Sequence, residues 1–174
     1  MKKILLLLLL IVPFVANAQS YILTKKIVMD KFDDVLLERN QKTIVTKTDS
    51  TFVIEEKGKE PVTYVISEFV SDFTVGNKDN IVNLVENLYG YEEWWCVTLS
   101  SDYEAYRNEY LSCSLETDED KRMKDINKIV DKYCYYINRR VVTTQYTHRI
   151  LGQYFCIRKR DNKGVATMYS KITN

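Results

Sequence analysis

The chain has one histidine, His148, and four cysteines, Cys96, Cys113, Cys134 and Cys156. A cysteine nucleophile needs a base beside it, and Cys96 and Cys156 are the two that a sheet could bring towards His148. No family signature surrounds either, and a hydrogen-bonded or surface place on a strand accounts for the histidine more simply. The sequence holds no glycine-flanked serine elbow, no His-Glu-x-x-His, no glycine-rich phosphate loop and no Cys-x-x-Cys. A zinc site would need mostly thiolates, and these cysteines are spaced far more widely than zinc knuckles. Carboxylates are too numerous to single out a glycosidase-type pair. No catalytic set, metal site or cofactor is therefore expected.

Residues 88–99 carry the clearest binding chemistry. On a strand, neighbours point to opposite faces, so Trp95, Val97 and Leu99 form an apolar core face, with Trp94, Cys96 and Thr98 on the other. An exposed Trp94 near Tyr89, Tyr91 and Glu92 could stack on a sugar or on a partner's aromatic side chain. The alternative is a sheet covered on both faces, with Trp94 in the core, where large aromatics usually lie. The cysteines are compatible with disulfides in an oxidising compartment. The strand-to-strand pair Cys96–Cys156 is the bridge to test, and four buried free thiols are the alternative.

The first residues read as an address. Lys2-Lys3, an apolar run over 4–12, Pro13 and Ala16-Asn17-Ala18 make a charged, apolar and small-x-small series, the pattern of a signal peptide over 1–18 cleaved after Ala18. The apolar run is too short for an ordinary membrane span. Residues 19–174 are then one domain with room for a core. This short leader followed by Gln19, with the general size, resembles those of small exported bacterial proteins of unknown function. It implies a periplasmic or secreted protein that is not integral to the membrane after cleavage. Without Lys2 and Lys3 the chain is close to neutral. Residues 86–120 are acidic, with Arg107 the sole Lys or Arg, and the chain from Arg139 onward is basic. These halves are expected to face each other within one fold, and no nucleic-acid partner is expected.

The elements that must position these groups are read from periodicity. Strands are expected over 21–30, 35–38, 42–48, 51–57, 60–67 and, as an extension, 69–75. Asp49-Ser50 is a hairpin turn. A three-residue connection at 58–60 pairs Ile54 with Tyr64 and Phe52 with Ile66. A short helix over residues 81–88 stops at Gly90. Ser101 and Glu104 form a capping box, and Tyr103, Tyr106 and Tyr110 share a helix face. A second helix begins at residues 117–120 and runs about five turns to Ile137, in the estimate set by 3.6 residues per turn. Strands over 140–148, 154–159 and 165–172 complete the chain, with a turn at 161–164. The fold class expected is α+β, a mostly antiparallel β-sheet with a capped helix pair packed on one side. The function expected is an exported, non-enzymatic binding module for an envelope or extracellular protein or glycan. Two alternatives are a hydrolase acting on envelope or extracellular polymers, and a structural envelope assembly subunit that uses an exposed sheet edge.

Overall fold

Apolar side chains at alternate positions of the strands turn inward, and the strands close around a shared interior. The computed structural model describes residues 17–70, 88–144, 149–161 and 163–173. Its strands are β1 (Gln19–Met29), β2 (Val35–Lys47), β3 (Thr51–Glu56), β4 (Val62–Ile66), β5 (Leu88–Leu99), β6 (Cys134–Thr144), β7 (Ile150–Lys159) and β8 (Ala166–Ile172). Two helices, α1 (Tyr103–Ser114) and α2 (Glu119–Tyr133), lie between β5 and β6. Each strand pairs antiparallel with the next, and β8 returns to β1 from Lys25↔Ser170 to Met29↔Ala166. The sheet is thus a closed eight-stranded barrel, which corrects the expected α+β packed sheet. An open sheet leaves one face and two edges to be covered. Here closure turns the strands' inner apolar side chains onto one another and leaves the helices an accessory role, while Val35, Leu36 and Leu37 at the start of β2 stay exposed.

Leu23, Val45, Phe52, Ile54, Trp95, Val97, Ile137, Phe155, Ile157 and Tyr169 fill the interior. Eight strands enclose a space that side chains of this size can fill. Phe52 meets Trp95 edge-on, with ring centroids 5.0 Å apart. Two ion pairs sit among the interior rings. Lys26 meets Glu56, which also accepts from the Tyr169 hydroxyl. Arg139 meets Glu93 at 2.6 Å and lies over the rings of Tyr21 and Tyr91.

The helix pair packs on the outside of β5 and β6. Tyr106, fully buried, bonds Ser67 Oγ at 2.7 Å and joins Cys96, Ile129, Val130 and Cys134 in a second core. The shared tyrosine face of α1 is as expected, with Phe69 stacked on Tyr110 at 4.4 Å. Asp118 caps α2 by accepting from the Lys121 amide at 3.0 Å. The capping box at Ser101 does not form, because Asp102 is the N-cap residue of α1 and Ser101 Oγ turns to the Asp102 carboxylate. The second helix ends at Tyr133, and Cys134 and Ile137 belong to β6.

Three further expectations are corrected. The strands expected over 35–38 and 42–48 are one continuous strand, β2, which ends at Lys47. Gly90 does not stop a helix but pairs with Val142 inside β5; residues 81–87 of the expected helix lie outside the described residues, as do 71–75 of the expected strand. The β3–β4 hairpin pairs Ile54 with Val62 and Phe52 with Tyr64. The turn decides this: Lys59 N–H bonds the Glu56 carbonyl at 3.1 Å, and Gly58 takes φ 75°, a conformation that suits glycine. The register moves by two residues, so every side chain keeps its expected face.

Candidate functional site

Trp94, Glu92, Cys96 and Thr98 all point outward from β5, and the helix pair divides them. Cys96 and Thr98 lie under it and are buried, whereas Trp94 lies beyond it and is 41% exposed. Trp95, on the inner face, is 6% exposed. Strand register then builds a surface around Trp94. Trp94 pairs with Asn138, Asn138 with Cys156, and Cys156 with Met168, so one row of outward side chains crosses β5 to β8. The next row runs from Glu92 through Arg140 to Tyr154, and the row on the other side pairs Tyr136 with Arg158. These rows line a groove of about 620 Å³, with Val142 and Asp33 at its margins.

Three local devices shape the groove. The first is the β1–β2 turn, where Asp30 Oδ1 accepts from the Phe32 and Asp34 amides at 2.8 and 3.0 Å. Asp33 takes φ 69° there, a left-handed conformation that Asp tolerates better than most residues. Its carboxylate reaches the Arg158 guanidinium. The second is Gly152, where a Cβ would fall 3.0 Å from the Tyr154 ring, so glycine lets that ring lie back along β7. Gly152 sits inside β7, before the expected start of this strand at residue 154 and next to a register shift opposite Val142 and Thr143. The third is Tyr136, which stands at 84° to the Trp94 ring with centroids 6.4 Å apart. Its hydroxyl accepts from Arg160 Nε at 3.0 Å, and Arg160 is held by Asp131 at 2.5 Å.

The charges of the groove are paired. Arg140 meets Glu92 through Nε and Nη2, and Arg158 meets Asp33. Arg139, Arg140 and Arg160 from the basic part of the chain thus contact Glu93, Glu92 and Asp131. Burial pushes the Cys156 thiol up, with Arg158 only partly offsetting it, so this sulfur is a weak nucleophile near neutrality.

The expected binding residues therefore separate. Trp94 lines the groove, and Glu92 adjoins it through its bond to Arg140. Tyr91 points inward over Arg139, because it lies an odd number of residues from Trp94 on the same strand. The Tyr89 side chain and His148 lie outside the described residues. Arg140, Arg158, Tyr136 and Tyr154 were not anticipated as site residues, since only the pairing of β5 to β8 brings them to Trp94. The Cys96–Cys156 bridge is not formed. All four cysteines are free, and β6 runs between the two strands. Two strand spacings amount to about 10 Å, beyond the roughly 7 Å Cα limit for a disulfide.

Cys96 and Cys134 are diagonal neighbours under the helices. A hydrogen bond with Cys134, reinforced by burial, raises the Cys96 thiol. Cys134 is lowered to about 7, chiefly by that bond from Cys96, with help from the Thr98 and Tyr106 hydroxyls. Among the described residues no cluster of three or more His, Cys, Asp or Glu could hold a metal ion, and no helix is long and apolar enough to cross a membrane. No protein-family model, curated protein or solved structure matches the chain. The fold and groove define its class as an eight-stranded meander barrel with an external, aromatic and charge-paired groove.

Proposed function

We propose that the chain is an exported, non-enzymatic binding module that presents the Trp94 groove to an envelope or extracellular protein or glycan. The observation that carries this reading is the coincidence of the exposed member of the tryptophan pair with a concave surface of ligand size. The leader over residues 1–18 supports export. The outer faces of β6 and β7 carry Asn138, Arg140 and Arg158, the reverse of the apolar band of a membrane-spanning barrel. The two carboxylates at the groove, Glu92 and Asp33, are each bound to an arginine, so neither stands as the unpaired acid of a hydrolase.

Cosedimentation with isolated envelope fractions tests the proposal. Saturable binding that Trp94→Ala abolishes, and that Leu115→Ala on the far helix connection leaves unchanged, supports it. Equal binding by both variants removes the groove from the reading.

A second reading, assembly through a sheet edge, is favoured by one observation. Val35, Leu36 and Leu37 in β2 are exposed, and among the described residues this stretch pairs with β1 alone. Such an edge templates further strands. Concentration-dependent association abolished by Leu36→Lys supports it, and a monomer at all concentrations ends it.

A further inference from the structure

We infer that the ligand of the groove is the ring of a neutral saccharide, an inference that rests on the groove being the binding site. Its charge balance is the first argument. Each arginine of the lining already faces a carboxylate, Arg140 with Glu92 and Arg158 with Asp33, and the adjoining Arg160 faces Asp131. An anionic ligand would have to displace one of these carboxylates, and Glu92 is itself well covered. A cationic ligand would have to displace an arginine. Either exchange swaps one ion pair for another and adds desolvation, with little net gain. A neutral ligand leaves the pairs in place and uses their outward hydrogen-bonding capacity.

The second argument is the mixture of surfaces. Trp94 presents an indole set by the perpendicular Tyr136, which Arg160 fixes in turn. The C–H face of a pyranose is apolar and packs on an aromatic ring, while its rim is a ring of hydroxyls that both donate and accept. The groove supplies matching groups around Trp94: the Asn138 amide, the Tyr154 phenol and the Arg140 guanidinium, which Glu92 holds. A protein partner would need a continuous surface of about 800 Å² on this side. A groove of about 620 Å³ falls instead within the range of small-ligand sites.

The test titrates the chain with short neutral glucan and chitin oligomers, and with a uronic-acid oligomer for comparison. The readouts are calorimetry and protection of tryptophan fluorescence from a neutral quencher. The expected result is saturable binding of a neutral oligomer, almost unchanged between low and high salt. Trp94→Ala should weaken it about tenfold or more, which corresponds to about 1.4 kcal/mol. Glu92→Gln should also weaken it, by freeing Arg140. Preferential, salt-sensitive binding of the uronate oligomer overturns neutrality. Absence of binding by every neutral oligomer overturns the saccharide assignment; if Trp94→Ala still abolishes envelope binding, the proposed function survives that failure. Neutral-oligomer binding that Trp94→Ala leaves intact places the sugar elsewhere and overturns the inference.

Discussion

Replacing Glu56 with glutamine removes a charge around which the barrel interior arranges several donors. Its carboxylate accepts from Lys26 Nζ at 2.5 Å and from the Tyr169 hydroxyl at 2.7 Å, and Lys59 Nζ lies 2.7 Å from its other oxygen. The Glu56 and Lys26 side chains are 7% and 10% exposed. Burial by itself would raise the carboxyl's pKa, but hydrogen bonds from Lys26, Lys59, Tyr169 and Gln41 outweigh it and hold the group well below the usual carboxylate range. Glu56→Gln preserves the shape and leaves the Lys26 ammonium buried without a counter-charge, a change that costs about 3–5 kcal/mol in buried pairs. The glutamine oxygen still accepts one bond, and Lys59 is exposed enough to turn to solvent. The lower end, about 3 kcal/mol, is therefore expected.

Adding Lys26→Met should recover much of that loss, with a coupling of about 2 kcal/mol in the double-mutant cycle. The pH dependence has a definite sign. The folded pKa lies below the unfolded value of about 4.3, so the contribution is complete above that value and is lost as pH falls through it towards the folded one. The wild type should lose stability on acidification through this range more steeply than Glu56→Gln. Urea denaturation followed by far-ultraviolet circular dichroism measures both quantities. A Glu56→Gln variant within about 1 kcal/mol of wild type at neutral pH, below the range for a broken buried pair, would refute the reasoning. So would identical acid slopes.

Other outcomes follow from the same geometry. Gly152→Ala should displace the Tyr154 ring into the groove and weaken ligand binding, while changing urea stability by no more than about 1 kcal/mol, the usual scale for glycine in a strand. A stability loss well beyond that would show that Tyr154 supports the fold rather than shaping the site. Mass analysis after alkylation in denaturant without reductant should find all four cysteines modified. In the native state the half-buried Cys113 should react before Cys96 and Cys134, which the helix pair covers, despite the lowered Cys134 thiol. A species two hydrogens lighter would reveal a bridge instead. Expressed with its leader in a bacterium, the chain should be recovered outside the cytoplasm with Gln19 at its N-terminus; an intact leader on a cytoplasmic product would remove the export proposal.

Local chemistry in the sequence was enough to place the turn at residues 49–50, the start of the second helix within residues 117–120 and the inward face of Trp95 and Val97. Each of these depends on neighbours within a few residues. Barrel closure depends on β8 meeting β1, which alternation along either strand cannot specify. The overlong second helix has a simple cause. Met123, Ile126, Val130, Tyr133 and Ile137 recur at steps of three and four, but a step of four also satisfies a period of two. Ile137 therefore fits a helix and a strand equally well, and its partners Trp95 and Ile157 settle the matter. Residues 39–41 of β2, between the two expected strands, gave no strand signal because Arg39, Asn40 and Gln41 lie in a polar run that shows no alternation. Trp94 was recognisable as a possible contact because its strand neighbours defined the opposite face as core. Arg140, Arg158 and Tyr154 were legible only as charge and aromatic content, since cross-strand register assembles them.

The most direct test of the central claim, that Trp94 stands open in a groove while Trp95 is core, is collisional quenching of tryptophan fluorescence in the chain. Trp94 and Trp95 are its only tryptophans, so every emitter reports on β5. The expected result is one freely quenched emitter and one shielded one, with Trp94→Phe removing the quenched component and Trp95 left as the shielded signal. Two shielded emitters, or a quenched component that persists in Trp94→Phe, would contradict the placement of Trp94 and with it the site.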